Sequence, residues 1–249
     1  MPKVTEIDML KNNPPKKDQG KAIVPIPMDI ETPTFQHKIL NLPKDKWVYH
    51  TPNDEYAYVV CRYYNKQGDK IDLPWTYRKY GDGRCDWDTL SIPSPRILFN
   101  LHHFTQKAEA PVLVSEGEKA AEAASKLFPD WISTTSSNGA GNAKSCDWSP
   151  CESRHVVIWP DNDDAGFSDA KDVARLCLKA GAASVRIVQI PPDTFAEKWD
   201  LADDPPDDWT VEDLQKLIDE AEEVVDPLDG LLERCETDKG AAFQPDVIE

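Results

Sequence analysis

Short apolar runs alternate with amphipathic segments through the second half of the chain. Short, mostly apolar runs are typical of buried strands, and they occupy residues 111–116, 131–135, 155–159 and 184–190. The stretches 117–128 and 165–181 instead place apolar residues three or four positions apart, which predicts amphipathic helices. Strands that alternate with helices form parallel sheets with right-handed crossovers. The pattern therefore predicts an α/β fold with a parallel sheet of about four strands flanked by helices.

The first half of the chain predicts a smaller, β-rich unit. Aromatic and β-branched residues dominate 56–64 and 71–80, and turn-forming residues follow each stretch. Residues 1–45 are instead rich in Pro, Lys and Asn, as in flexible linkers. We therefore expect four regions, which are a flexible segment at 1–45, a small β-rich subdomain at 46–108, the α/β domain at 109–205, and a C-terminal helix with an acidic tail at 206–249.

The acidic charge is concentrated at the C-terminal end. Residues 200–249 carry 18 acidic and 3 basic residues, which is −15 of the net charge of −17. Within them, an amphipathic pattern predicts a helix over 210–225 with Thr210 as its N-cap. Acidic tails are usually solvated or bound to a partner. Because residues 1–110 are slightly basic, the overall acidity does not exclude a nucleic-acid partner.

The composition indicates the cellular location of the protein and whether its cysteines and histidines bind a metal. No apolar run approaches the ~20 residues of a membrane span, and the N-terminus has no apolar stretch of signal-peptide length. We therefore expect a cytoplasmic protein without a membrane partner. The six cysteines include no CxxC pair, which favours reduced thiols over a zinc site. His50, His102 and His103 are scattered along the sequence and are not predicted to be ligands.

Acidic residues directly follow two of the predicted strands. Glu116 ends the first strand, and Asp161 and Asp163 come after the third. In open α/β sheets functional groups gather at the carboxyl ends of strands, so we expect these three carboxylates to converge if the two strands are neighbours. Carboxylates held together repel one another unless a cation lies among them, and oxygen ligands favour Mg²⁺ or Mn²⁺. Gly166 would let the next helix begin close to this edge.

Each part of this pattern also has a structural explanation. Asp and Asn after a strand are common turn and N-cap residues, and a Glu-Gly pair after a strand is uninformative by itself. The combination is more specific, because each acidic motif ends a predicted strand and opens a predicted helix.

The two motifs resemble those of the TOPRIM domain. Its signature is Glu-Gly after one strand and Asp-x-Asp after a later one, often continuing x-Ala-Gly, and Glu116-Gly117 and residues 161–166 match it in order. Bacterial-type DNA primases, type IA and type II topoisomerases and OLD-type nucleases share this domain. The Ala-Gly continuation is more similar to the primase-like proteins of phages, plasmids and integrated elements. The resemblance covers roughly residues 90–205 and implies a TOPRIM (Rossmann-like) sheet.

The resemblance implies metal-dependent phosphoryl transfer on nucleic acid, and in particular primer synthesis on single-stranded DNA from nucleoside triphosphates. The expected location is the cytosol or nucleoid of a bacterial host, with a helicase partner or a fused helicase module. Asp161 and Asp163 would bind Mg²⁺ or Mn²⁺, and Glu116 would be a ligand or the general base. Asp200 would add a carboxylate, unless it only begins the acidic tail. The alternatives are a metal-dependent nuclease on the same fold and a non-catalytic nucleic-acid-binding or assembly module.

Cations and glycines near the motifs are candidates for binding nucleotide or nucleic acid. Lys119 lies in the first turn of a predicted helix, where anions are favoured, and Lys198 could meet a phosphate. Gly139 and Gly141 would let backbone amides approach a phosphate, although the loop lacks the Gly-Lys-Ser/Thr ending of a P-loop. Arginines among aromatic residues suit a single-stranded template, and they are Arg62, Arg78, Arg84 and Arg96. Each group also has a structural explanation. The lysines would be solvated surface residues, the glycines would form a plain turn, and the arginines would lie around the aromatic core of a small β subdomain.

Overall fold

The computed structural model describes residues 18–137, 139, 141–191 and 193–225, which form two five-stranded sheets and four α-helices. The first sheet is antiparallel, with the order β1-β4-β3-β2 and with β5 paired to β4. Its strands are β1 (Lys21–Ala22), β2 (Asp45–His50), β3 (Tyr56–Tyr64), β4 (Lys70–Lys79) and β5 (Cys85–Asp88). The aromatic and β-branched content of β3 and β4 explains their pairing over six registered residue pairs.

The second sheet has the order β10-β9-β8-β6-β7, in which four strands are parallel and β10 is antiparallel to β9. Its strands are β6 (Val112–Val114), β7 (Ile132–Thr134), β8 (His155–Ile158), β9 (Ser184–Ile187) and β10 (Glu222–Glu223). The helices are α1 (Leu101–Gln106), α2 (Glu118–Leu127), α3 (Asp164–Lys179) and α4 (Val211–Asp219). Short 3₁₀ turns lie at Ala143–Ser145 and Ser149–Cys151. The predicted mixed α/β class is confirmed.

The central strands β6 and β8 are mostly apolar because both faces of their sheet are covered. Val112 and Val114 belong to a core cluster with residues of α1 and α3, whereas Leu113 belongs to a second cluster with residues of α2 and α4. Successive residues of a strand point to opposite faces, so these two clusters lie on the two sides of the sheet. The helices thus form a layer on each face.

The two sheets meet through buried aromatic residues. Tyr49 of β2 donates a hydrogen bond to Glu118 Oε1 in the first turn of α2, at 2.8 Å, and both side chains are buried. Tyr58 stacks on Tyr49 and donates to Ser137 Oγ at 3.1 Å. Because a buried carboxylate without partners is costly, these contacts hold the first sheet against α2 and the loop after β7.

Two segments differ from the sequence prediction. Residues 18–45 were expected to be flexible, yet Ile26, Phe35 and Leu40 are buried, and β1 pairs with β4. The predicted helix over 210–225 ends at Asp219, and the chain then pairs with β9 as β10. The edge of β9 would otherwise leave its backbone groups unpaired, and this tertiary demand is stronger than the helical pattern. Residues 1–17 of the flexible segment and 226–249 of the acidic tail lie outside the described residues.

The helices within the described ranges are all too short or too polar to cross a membrane.

Candidate metal centre at the carboxyl edge of the parallel sheet

Glu116 and Asp161 come together because β6 and β8 are neighbours. Val114 pairs with Ile158 at the carboxyl ends of these strands, and the Trp159 amide donates to the Val114 carbonyl at 2.8 Å. The chain leaves the sheet after each strand, and the charge of the Glu116 carboxyl group contributes to raising the pKa of Asp161. The structure therefore brings these two acidic residues to one edge of the sheet.

Burial and mutual repulsion make this edge strongly unfavourable for negative charge. Burial, followed by the charges of Asp169 and Asp163, raises the pKa of Glu116. Burial, followed by the charges of Glu116 and Asp200, raises the pKa of Asp161 to about 8. A raised carboxyl pKa means that the ionised form is destabilised. Five carboxyl groups thus act on one another here.

Asp163 has a structural role as well as its charge. Its Oδ1 atom accepts a hydrogen bond from the Gly166 amide at 2.7 Å, and its backbone is extended, so it is the N-cap of α3. The N-cap explanation that the sequence left open therefore applies to Asp163. Its charge still acts on both Glu116 and Asp161.

Gly166 allows α3 to begin directly against Asp161. A Cβ atom at Gly166 would lie 2.5 Å from the Asp161 carbonyl oxygen, 2.9 Å from its nitrogen and 3.0 Å from its Cβ. These distances are too short for any side chain, so the close approach of the two backbones requires glycine. The Ala-Gly continuation of the acidic motif therefore has a direct steric cause.

Asn162 positions the segment that carries Asp200. Its amide group donates to the Phe195 and Ala196 carbonyl oxygens, each at 3.0 Å. Its backbone donates to the Trp199 carbonyl at 3.1 Å and accepts from the Lys198 amide at 3.0 Å. These four bonds fix residues 195–199 against the end of β8, so Asp200 follows close to Asp161.

Asp169 belongs to this edge and was not predicted from the sequence. It lies on α3, where its charge is the first electrostatic cause of the raised pKa of Glu116. Its Oδ1 atom accepts a hydrogen bond from the Gly141 amide at 3.1 Å. The available signal was its spacing of three residues from Gly166, because residues three apart share a helix face.

The glycine-containing loop after β7 passes this edge, but its two amides are occupied. Gly139 and Gly141 have φ values of +69° and +75°, and a Cβ atom at Gly139 would lie 3.8 Å from the Glu116 carbonyl oxygen. The Gly139 amide donates to Ser136, and the Gly141 amide donates to Asp169. The predicted phosphate contact by these amides would require the loop to rearrange.

Arg62 and Arg78 are used inside the first sheet. Arg62 makes two hydrogen bonds to Asp72 at 2.9 and 2.8 Å and lies over the Trp47 ring. Arg78 is only 6% exposed, and its guanidinium donates mainly to backbone carbonyl oxygens, including that of Gln19 at 2.7 Å. The Arg78 guanidinium is therefore buried and satisfied by bonds within the protein, so the predicted contact with nucleic acid would require these bonds to break.

Two other arginines lie closer to the surface or to the loop. Arg96 donates to the Ser137 carbonyl at 3.3 Å and to Asn142 Oδ1 at 3.1 Å, so it holds the loop after β7. Arg84 is exposed, pairs with Asp86 at 2.9 Å and lies over the Tyr80 ring. Arg84 is therefore accessible to a ligand, whereas Arg96 supports the loop from within.

The two predicted lysines are accessible. Lys119 lies in the first turn of α2, is 52% exposed, and has its Nζ atom 3.8 Å from Asp203 Oδ1. Lys198 is exposed, and its backbone is held by Asn162. Lys119 is close in sequence to Glu116, and Lys198 is close in sequence to Asp200.

The residues at this edge suit a hard divalent cation. The donors are carboxylate oxygens, which Mg²⁺ and Mn²⁺ prefer. The Glu116 Oε2 atom is buried, and no N–H or O–H donor among the described residues reaches it. A cation would satisfy this oxygen and offset the repulsion that raises both pKa values. Glu116, Asp161, Asp163 and Asp200 are the residues that would hold it.

Without a divalent cation, the free energy of unfolding is expected to fall as the pH rises from about 4 to about 8. The pKa of Asp161 is about 8 in the folded protein, against an ordinary value of 3.8. Between these values the folded state keeps a proton that the unfolded state has released, so raising the pH favours unfolding. Below both pKa values Asp161 is protonated in both states. Above both values the decrease in the free energy of unfolding is complete.

Thermal unfolding in EDTA at pH 5, 6.5 and 8 would measure this effect. Because other groups also titrate, the comparison is with Asp161→Asn, whose melting temperature should change less over the same range. Adding Mg²⁺ to the unmodified protein should restore stability most strongly at pH 8. Parallel pH profiles for the two proteins would contradict the raised pKa.

The fold and the site define a mixed α/β protein with a cluster of carboxylates suited to a divalent cation. No protein-family model matches the chain, and no curated protein matches it. Among solved structures, the chain is similar to the Aquifex aeolicus primase (zinc-binding and RNA polymerase domains), with 19% identity and a TM-score of 0.48 over 80% of this chain and 44% of that one.

Two further solved structures are also DNA primases. A DnaG primase catalytic domain bound to ssDNA shares 14% identity, with a TM-score of 0.45 over 78% of this chain and 56% of that one. A DNA primase domain from Pseudomonas aeruginosa shares 13% identity, with a TM-score of 0.37 over 78% and 61%. The chain thus spans about half the length of the first two structures. The chemistry proposed below rests on the carboxylates and not on these similarities.

Proposed function

We propose that this protein catalyses metal-dependent phosphoryl transfer on nucleic acid, in the form of primase-type synthesis of primers on single-stranded DNA. The observation that carries the proposal is the mutual influence of the half-buried carboxyl groups of Glu116 and Asp161, on which the charges of Asp163, Asp169 and Asp200 also act. A divalent cation would offset this repulsion, and carboxyl groups with strongly perturbed pKa values cluster at functional sites. The resemblance of the acidic motifs to those of TOPRIM primases supports primer synthesis over other phosphoryl transfers.

The residues have distinct roles in this reaction. Asp161, Asp163 and Asp200 hold Mg²⁺ or Mn²⁺, which when bound neutralises the phosphates and stabilises the developing alkoxide and the leaving pyrophosphate. The 3′-hydroxyl of one nucleotide attacks the α-phosphate of a nucleoside triphosphate, and the bond to pyrophosphate breaks. Glu116 is the base that accepts the hydroxyl proton, since it lies at the same edge as the metal-binding carboxylates and its pKa is raised by burial and by the charge of Asp169.

Accessible cations bind the charged substrates. Lys119 and Lys198 contact the triphosphate, because both are exposed and close in sequence to the acidic group. The exposed guanidinium of Arg84, which lies over the Tyr80 ring, contacts the phosphates of the single-stranded template through its charge. A helicase, as a partner or as a fused module, would supply the single strand during replication of a phage, plasmid or integrated element.

A direct assay separates this function from its alternatives. The protein is incubated with Mg²⁺ or Mn²⁺, single-stranded DNA, and labelled ribonucleoside or deoxyribonucleoside triphosphates. New short oligonucleotides would support primer synthesis, and a shortened template without them would show a metal-dependent nuclease. Binding of the DNA with neither product would show a non-catalytic module and overturn the proposal.

A further inference from the structure

A second group of metal-binding residue types lies at the junction of the first sheet with α1. His50 ends β2, Asp54 lies in the turn before β3, and His102 lies in the first turn of α1. One ligand atom from each of these three side chains lies within 4.8 Å of the others. They come from two distant parts of the chain. None of them belongs to the acidic edge, which is the group of carboxylates formed by Glu116, Asp161, Asp163, Asp169 and Asp200.

The surrounding contacts hold this group together. Thr105 Oγ1 donates to the Pro52 carbonyl at 2.7 Å, which fixes the turn after β2 against α1. The rings of His50 and His102 are in an edge-to-face arrangement with centroids 4.6 Å apart. The His102 Nε2 atom lies 3.8 Å from Asp54 Oδ1. The three side chains are therefore placed by the fold and not by chance exposure.

Both imidazole rings carry a buried nitrogen without a partner. The Nδ1 atoms of His50 and His102 are inaccessible to solvent, and neither has a hydrogen-bond partner within the part of the chain that the structure describes. A buried polar atom without a partner is unfavourable. Packing alone thus leaves one nitrogen of each ring without a partner.

We propose that His50, Asp54 and His102 bind a transition-metal ion, with Zn²⁺ as the best-suited ion, and that this ion ties the first sheet to α1. Two imidazole nitrogens and one carboxylate oxygen form a known zinc ligand set, with one position left for water. The acidic edge offers oxygen atoms alone and suits Mg²⁺ or Mn²⁺, whereas imidazole selects Zn²⁺ and its neighbours in the first transition row.

Only small side-chain movements are needed to close the site. Zinc bonds of about 2.0–2.2 Å place ligand atoms about 3.3–3.6 Å apart, against the 3.8 Å between His102 and Asp54. The Asp54 side chain is 54% exposed and free to rotate toward the rings, while the His102 side chain is only 12% exposed and fixed. The site thus combines a fixed ligand, His102, with an adjustable one, Asp54.

The test uses Zn²⁺ and Co²⁺ as probes on the full chain. The parent for all measurements carries both Glu116→Gln and Asp161→Asn, so that the acidic edge does not contribute to Zn²⁺ binding. Equilibrium dialysis with metal analysis is expected to give one Zn²⁺ per chain, and Co²⁺ to give a visible absorption of a site with nitrogen ligands. Zn²⁺ should also raise the melting temperature of the parent.

Variants in the same background identify the ligands. His102→Gln is expected to weaken Zn²⁺ binding about 100-fold and Asp54→Asn about 10-fold, since removal of metal-site groups costs about that much. His155→Gln is the matched control, because this exposed histidine bonds to Ser184 far from the cluster in sequence. It should bind Zn²⁺ as the parent does.

The proposal is overturned if the parent binds no more Zn²⁺ than His102→Gln does, or if Asp54→Asn and His102→Gln both bind like the parent. Should His102→Gln fail to fold, Asp54→Asn decides, because Asp54 is exposed and its replacement leaves the core intact. Equal loss in His155→Gln would also contradict the assignment. None of these outcomes depends on the polymerising activity, so the site stands or falls separately from the proposed function.

Discussion

Replacing Glu116 with Gln, or Asp161 with Asn, is expected to reduce primer synthesis by about 100- to 1,000-fold, which is the usual cost of losing one group that stabilises transition-state charge. Both changes keep the size of the side chain and remove one negative charge from this half-buried pair. The cation would then be held more weakly, and Glu116→Gln also removes the base. The rate of nucleotide incorporation at saturating Mg²⁺ measures the effect.

The same substitutions should not unfold the protein, and this separates a functional effect from a structural one. Asp161→Asn relieves repulsion and is expected to raise the melting temperature at pH 8 in EDTA by about 2–4 °C, the change that corresponds to roughly 1 kcal/mol in a chain of this size. Asp164→Asn is the matched control, because Asp164 is in the same acidic run but is exposed and acts on neither carboxyl group. Full activity of either Glu116→Gln or Asp161→Asn would refute a catalytic edge.

The acidic edge was predictable because it depends on chain order and on periodicity. Buried strands that alternate with helices place their carboxyl ends on one side, so Glu116 and Asp161 needed only neighbouring strands to meet. Asp169 lies inside a helix, where an acidic residue is ordinarily solvated, and its spacing of three residues from Gly166 is a weak signal by itself. The positioning role of Asn162 is also not marked in the sequence, because its side chain bonds to residues more than thirty positions away.

Properties that depend on distant packing were not predictable. The burial of Arg78 requires the backbone at Gln19 and Gly20, which a local pattern does not reveal. The end of α4 at Asp219 depends on the need of β9 for an edge partner, while the sequence continues a helical pattern. His50 and His102 meet only because α1 packs against β2, so their scatter along the sequence concealed their proximity in space.

Gly166→Ala is expected to destabilise the protein and to reduce activity even though it changes no charged group. The added Cβ atom would lie 2.5 Å from the Asp161 carbonyl oxygen, which is backbone and cannot rotate away. Either α3 or the end of β8 must therefore shift. Such overpacking costs about 1–3 kcal/mol, and a displacement of about 1 Å at a reacting group can cost about 100-fold in rate. Thermal unfolding and primer synthesis measure the two effects.

Gly117→Ala is the matched control for this steric argument. Gly117 lies beside Glu116 as Gly166 lies beside the aspartates, but its φ is −142° and a Cβ atom there would meet nothing within 4 Å. Its replacement should therefore leave the melting temperature nearly unchanged. If Gly166→Ala were as stable as Gly117→Ala, the backbones of α3 and Asp161 would not be in close contact. The geometry that holds Asp161 beside Glu116 would then be incorrect, because the start of α3 and the position of Asp161 depend on the same contact.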